Sequence, residues 1–143
     1  GILMEFNYKI AGGDFNAAGN ASSAVKKILK QLNIDPAIAK RTVVALYEGE
    51  VNIVAHAWSG EMKIAIDKEK IFACLVDKGP GIPDIDKAME AGFSTASPQV
   101  REMGFGAGMG LPNIKKNVDK LDISSEEKRG TTVEMTIYLN NNG

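Results

Sequence analysis

Apolar and polar residues alternate with a period of two near both ends of the chain, and with a helical period between. Met4, Phe6, Tyr8 and Ile10 alternate with Glu5, Asn7 and Lys9, which predicts a half-buried strand. Gly12 and Gly13 break it, and Asp14 is a plausible N-cap for a helix. Phe15, Ala18, Ala21, Val25, Ile28, Leu29 and Leu32 then recur at helical spacing, to about Asn33. Asp35-Pro36 starts a second helix, with the aspartate as cap and the proline in the first turn. Ile38, Val43, Val44, Leu46, Tyr47, Val51, Val54 and Ala55 continue its apolar face to about Ala57, and Ser59-Gly60 closes it. Met62, Ile64 and Ile66 alternate as a strand. Asp67-Lys68-Glu69-Lys70 reads as a polar hairpin turn into the apolar run Ile71 to Val76. Both faces of that run are apolar, which predicts a central strand.

From Asp77 to Gly108 the periodicity fails, apart from a short helix expected within Ile82 to Ala91. Pro112 sits in the first turn of a helix carrying Ile114, Val118 and Leu121. Leu121 to Ser125 reads as a short strand, and Glu126 to Gly130 as a charged turn. Thr131 to Leu139 is the clearest strand: Val133, Met135, Ile137 and Leu139 alternate with Thr132, Glu134, Thr136 and Tyr138. Adjacent strands without intervening helices predict a mixed, mostly antiparallel sheet with helices on one face. The fold class is therefore α/β (α+β), a two-layer sandwich. One domain is expected over Met4 to Leu139, with Gly1-Ile2-Leu3 a candidate expression remnant and Asn140 to Gly143 a polar tail.

The length of 143 residues suits a single domain with a real core, and the net charge of -1 argues against broad attraction to nucleic acid or anionic membranes. No apolar run approaches a membrane span, and no signal-like segment is seen. The single cysteine, Cys74, excludes an intrachain disulfide and suits a reducing, cytoplasmic setting. Its apolar neighbours predict a buried, inert thiol.

Four features could belong to one site. Glu48 and Asn52 are four residues apart on the second helix and so share a face. A carboxylate can accept a hydroxyl proton, and an amide oxygen is a hard ligand suited to Mg²⁺. Polar pairs at this spacing are usually a solvated helix face, but here the flanking residues are apolar. His56 extends the stripe and reads as a histidine packed beside the helix end. Asp77-Lys78-Gly79-Pro80-Gly81 follows the central strand. Its aspartate can accept a hydrogen bond from an exocyclic base amine, although Asp, Gly and Pro also make ordinary turns. Gly104-Phe105-Gly106-Ala107-Gly108-Met109-Gly110 runs into a helix, where backbone N–H groups can face a polyphosphate. It matches neither a Walker loop nor a dinucleotide fingerprint. A flexible loop is the plain alternative. Gly130-Thr131-Thr132 opens the last strand and offers a hydroxyl, a weak signal alone because threonines are common in strands.

The order of these features is more specific than any one of them. Glu-x-x-x-Asn on a helix, Asp-x-Gly-x-Gly after a strand, a polar loop, Gly-x-Gly before a helix and Gly-Thr-Thr opening a strand resemble the GHKL family of ATP-binding domains (the Bergerat fold). The resemblance covers Met4 to Leu139 and is strongest to the anti-sigma-factor serine kinases and the related stressosome switch kinase. It implies Glu48 as general base and Asn52 as the Mg²⁺ ligand. It further implies Asp77 as the adenine-binding aspartate, with Gly79 and Gly81 shaping the pocket. Gly104, Gly106, Gly108, Met109, Gly110 and Leu111 would form the phosphate-side turn. Thr131 or Thr132 would be the adenine-side threonine, and Asp84 to Phe105 the ATP lid. Some anti-sigma kinases place an arginine where Gly106 stands; the nearest basic residue here is Arg101, the expected γ-phosphate cation.

The function implied is an ATP- and Mg²⁺-dependent protein serine kinase that phosphorylates a STAS-domain partner, with a sigma factor as a second partner and a homodimer as the expected assembly. Two alternatives stay open. One is a non-catalytic ATP- or ADP-binding switch module that sequesters a protein partner. The other is a histidine-kinase catalytic domain, which would need a separate phosphoacceptor chain because the sequence starts directly on its first strand.

Overall fold

A computed structural model describes residues 1–90 and 110–139. Its sheet has five strands, with β1 (Ile2–Ala11), β2 (Ser59–Asp67), β3 (Lys70–Lys78), β4 (Lys120–Glu126) and β5 (Gly130–Tyr138) in the order β1-β2-β3-β5-β4. Every pairing is antiparallel, as the largely antiparallel sheet expected from sequence requires. β3 is the middle strand, as its apolar run predicts. The β2–β3 hairpin is fixed by Asp67, whose Oδ1 accepts from the N–H groups of Glu69 and Lys70 at 2.7 and 2.8 Å. Those two bonds hold the Asp67 carboxyl below its usual pKa.

Against one face of the sheet pack α1 (Asn20–Gln31) and α2 (Pro36–His56), with α4 (Gly110–Asn117) beside α2. A single turn, α3 (Ile85–Ala88), follows β3 and is capped by Asp84, which accepts from the N–H of Lys87. The core joins Val25 and Leu29 of α1, Leu46 and Ile53 of α2 and Ile114 of α4 to inward-facing residues of the strands, among them Met62, Ile64, Ile71, Leu75, Met135 and Ile137. Burying these apolar surfaces is the main force joining the two layers.

Several local expectations are corrected. Asp14 does not cap an α-helix. It precedes a 3-10 turn, Phe15–Ala17, and α1 begins only after Gly19, whose φ of 98° resets the chain direction. Ser59-Gly60 opens β2 instead of closing α2. The helix around Pro112 starts at Gly110 and stops at Asn117, which leaves Leu121 to β4. Cys74 is half-buried on the face of the sheet opposite α1 and α2, not in the core. Partial burial, and to a lesser degree the Glu134 charge, push its thiol pKa up, which favours the thiol over the thiolate.

Candidate functional site

α2 is the spine of the site. Asp35 caps it with a side-chain bond to the N–H of Ala37, and Pro36 opens its first turn. Glu48 and Asn52 lie one turn apart on a half-buried face that looks toward α4. Asn113 of α4 donates its Nδ2–H to Glu48 Oε2 at 3.0 Å. Gly110, the first residue of α4, lies against Asn52. A Cβ at that position would sit 2.8 Å from Asn52 Oδ1, so no larger residue fits without displacing the amide. Among the described residues Asn52 itself has no hydrogen-bond partner, although its amide lies beside the start of a helix.

The second wall is built at the end of β3. Asp77 and Thr131 fall on the helix side of the sheet, and Asp77 Oδ1 accepts from the N–H of Thr131 at 3.1 Å. Asp77 Oδ2 has no donor among the described residues. Burial raises the pKa of this carboxyl, and the Thr131 bond offsets only part of that rise. Gly79 packs against Ala57 just past the end of α2; a Cβ on Gly79 would lie 2.9 Å from the Ala57 Cα. Gly81 turns the chain with φ 82°, directly over the backbone of Glu126.

Of the two threonines, Thr131 is the one beside Asp77. Thr132 pairs with Val76 and points to the opposite face, because side chains alternate along a strand. Leu111 is buried in the core, so only its backbone can serve a ligand. Arg101, Gly104, Gly106, Gly108 and Met109, with the lid expected from Asp84 to Phe105 beyond residue 90, lie outside the described residues. His56 is half-buried in the last turn of α2, and desolvation holds its pKa below the ordinary histidine value.

Two residues of the site went unassigned in the sequence. Asn113 orients Glu48; its position one turn into the helix after the glycine loop was the only available signal. Ser125 ties three segments together. Its Oγ accepts from the N–H of Ile82 at 2.7 Å, donates to the carbonyl of Gly130 at 3.1 Å and lies 2.9 Å from Thr131 Oγ1. A serine in a strand carries no pattern that reveals such a junction.

Taken along α2, the order is Glu48, Asn52, then Ala57 against Gly79, which itself lies beside the Asp77 carboxylate. Residues 14–137 match the family described as the histidine kinase-like ATPase domain, and the chain belongs to that family. Its relatives include the serine/threonine-protein kinase RsbT of Bacillus subtilis (strain 168), 32% identical over 118 residues that cover 80% of this chain and 83% of RsbT. The anti-sigma F factor of Caldanaerobacter subterraneus subsp. tengcongensis is 32% identical over 116 residues, covering 76% of this chain and 78% of its own. A chain in the crystal structure of the SiaB-SiaC complex from Pseudomonas aeruginosa superposes with a TM-score of 0.62 at 17% identity, over 95% of this chain and 91% of that one. That likeness shows a shared fold. The expected GHKL-type domain, and its likeness to the anti-sigma serine kinases, are thus borne out.

Proposed function

We propose that the chain is an ATP- and Mg²⁺-dependent protein serine kinase acting in the cytoplasm on a small STAS-domain protein, with a sigma factor as a second partner. One observation carries this reading: the polar groups are laid out along α2 in the order a nucleoside triphosphate requires. Glu48 and Ala57 are separated by about 13 Å at the rise of an α-helix, of the order of an extended nucleotide from γ-phosphate to base. Asp77 and Gly79 stand at the base end. Asn52 and Gly110 stand at the phosphate end, with Glu48 beyond them.

The residues present suit that ligand. The free Oδ2 of a half-buried Asp77 needs a donor, and the exocyclic amine of adenine supplies one. Asn52 offers a hard oxygen beside a glycine that leaves the backbone open. Mg²⁺ commonly takes only one or two protein oxygens and completes its shell with phosphates and water, so no carboxylate cluster is needed. None occurs among the described residues. Bound Mg²⁺ would neutralise charge on the phosphates. Asn113 fixes one oxygen of Glu48, which leaves the other to accept the proton of a substrate serine hydroxyl. From the sequence, Arg101 is the proposed cation at the γ-phosphate, with the Gly104 to Met109 turn around the phosphates.

The names of the relatives, a serine/threonine kinase and anti-sigma factors, support the same reading. So does the fold shared with a chain crystallised in a protein–protein complex. Gly106, where some anti-sigma kinases carry arginine, favours one second reading: an ATP- or ADP-binding switch that sequesters its partner without phosphorylating it. Incubation with labelled ATP, Mg²⁺ and a STAS-domain protein separates the two. Phosphoserine on the partner supports the kinase; ATP binding without phosphoserine supports the switch.

A further inference from the structure

Asp77, Thr131 and Ser125 lie in one row across β3, β5 and β4. Ser125 and Thr131 are cross-strand partners, and Thr131 donates its backbone N–H to Asp77 Oδ1. The turn that carries Gly79 and Gly81 is tied onto the β4–β5 hairpin by two backbone bonds. Gly79 N–H donates to the Arg129 carbonyl, and Lys128 N–H to the Pro80 carbonyl. Ser125 adds a further tie by accepting from the N–H of Ile82.

A hydroxyl has one hydrogen to donate and two lone pairs to accept with. Around Ser125 Oγ stand the Ile82 nitrogen at 2.7 Å, the Gly130 carbonyl oxygen at 3.1 Å and Thr131 Oγ1 at 2.9 Å. The Ile82 N–H can only donate, and the Gly130 carbonyl can only accept. All three contacts are hydrogen bonds at once only if Ser125 donates to Gly130 and Thr131 donates to Ser125. The reverse order, with Ser125 donating to Thr131, breaks the Gly130 bond. It also leaves the Thr131 hydrogen with no acceptor among the described residues, on a residue that is 8% exposed. An unmet buried donor is costly, so the first order wins.

We propose that Ser125 is a positioning residue that makes Thr131 acceptor-only toward the nucleotide pocket, and so selects a 6-amino over a 6-oxo purine. The inference rests on the ATP reading above and adds to it the residue that sets base choice. With its hydrogen turned to Ser125, Thr131 Oγ1 offers the pocket only lone pairs. Asp77 Oδ2, on the residue bonded to the Thr131 N–H, offers only lone pairs as well. Among the described residues no donor reaches either atom. An exocyclic amine carries two N–H bonds, which serve both atoms directly or one of them through a water. Asp77 alone discriminates less, because the N1–H of a 6-oxo purine is also a donor to a carboxylate. That pose turns the 6-oxo oxygen toward Thr131, where it needs a hydroxyl hydrogen. Ser125 already holds that hydrogen, so the oxygen meets another acceptor.

The test compares ATP with ITP, its 6-oxo counterpart, by calorimetry. The unmodified chain should prefer ATP by about a hundredfold or more, as a site built around a substrate N–H does. Ser125→Ala should cut that preference about tenfold or more, because the freed Thr131 hydroxyl can donate to the 6-oxo oxygen. Ser125→Thr restores a hydroxyl and should bring the preference back to within about threefold, since threonine suits a strand. In a Thr131→Val background, Ser125→Ala should leave the preference unchanged to within about twofold, because Ser125 acts through Thr131. The two backbone ties survive in every variant, so folding should hold; circular dichroism checks this. Equal loss of ATP and ITP affinity in Ser125→Ala marks a merely structural role and overturns the proposal. So does an effect of Ser125→Ala that persists in the Thr131→Val background. The proton order is read separately by NMR on the nucleotide-free chain. The Thr131 hydroxyl proton should exchange slowly with water and show a nuclear Overhauser effect to the Ser125 β-protons. A chain that binds ATP but lacks this signal overturns the proposal and leaves the ATP reading standing. A chain that shows the signal but binds neither nucleotide overturns the ATP reading, and the base choice with it.

Discussion

Glu48 and Glu50 lie two positions apart on α2, and about 200° of helical rotation sends their side chains to opposite sides. Glu50 is 2% exposed and faces α1. Its carboxylate accepts from the N–H groups of Gly19 and Ala21 at 3.0 and 3.1 Å and of Ser22 at 2.9 Å. These are unpaired donors at a helix start, so a negative charge here satisfies both hydrogen bonding and the helix dipole. Glu48 is half-buried and takes one donor among the described residues, the Asn113 amide. The same side chain on the same helix therefore stands in two electrostatic settings. Where both oxygens accept from fixed N–H groups, the carboxylate is a structural clamp. Where one oxygen is held and the other is open, it can accept a proton.

The contrast breaks most visibly at Glu50. Glu50→Ala strands three donors at the start of α1 and should cost roughly 3 kcal/mol or more of unfolding free energy. Glu48→Ala should cost less than about 1 kcal/mol. Urea denaturation of the two variants side by side measures the gap, and equal midpoints would contradict the assignment of the clamp.

Asp77→Asn should act in the opposite sense to Glu50→Ala. The Thr131 bond survives, the cost of burying a charge disappears, and the melting temperature holds or rises. Because the folded pKa of Asp77 is raised, this group's contribution to stability is present at low pH and lost as pH rises through that folded value. The variant should lack that dependence. Its ATP affinity, by calorimetry, should fall about ten- to a hundredfold with the loss of one charge-assisted bond.

Gly110→Ala should be milder: the new Cβ displaces the Asn52 amide and weakens Mg²⁺-dependent nucleotide binding by roughly tenfold, as overpacking by one methyl would. The smallest effect is expected at His56. Its folded pKa is depressed, so the unfolded chain takes up the proton first, and stability should fall as pH drops below the ordinary histidine value. Thermal melts of His56→Gln over that window should show a flatter profile than the unmodified chain.

Glu48 was legible in the sequence because its evidence is local: a polar pair at i, i+4 in an apolar helix. The middle position of β3, the Asp35-Pro36 start of α2 and the Asp67 hairpin were legible for the same reason. Glu50 was not, since its partners lie about thirty residues away across a helix–helix contact and no spacing rule links them. The late start of α1 is part of the same blind spot. Asp14 has the composition of a cap, but Glu50 supplies the acceptor from another helix. Thr131 and Thr132 are told apart only by register, which assigns each to a face, and the apolar run around Cys74 does not reveal which of its residues face the helices. Ser125 and Asn113 act through single long-range bonds that leave no periodic trace.

Phosphate transfer by Glu48→Gln tests the central claim most directly. With ATP and a STAS-domain protein at saturation, the unmodified chain should form phosphoserine, and the variant should lose about a hundredfold or more of that rate while binding ATP as before. Transfer undiminished in Glu48→Gln, with nucleotide affinity unchanged, would contradict the role given to this carboxylate.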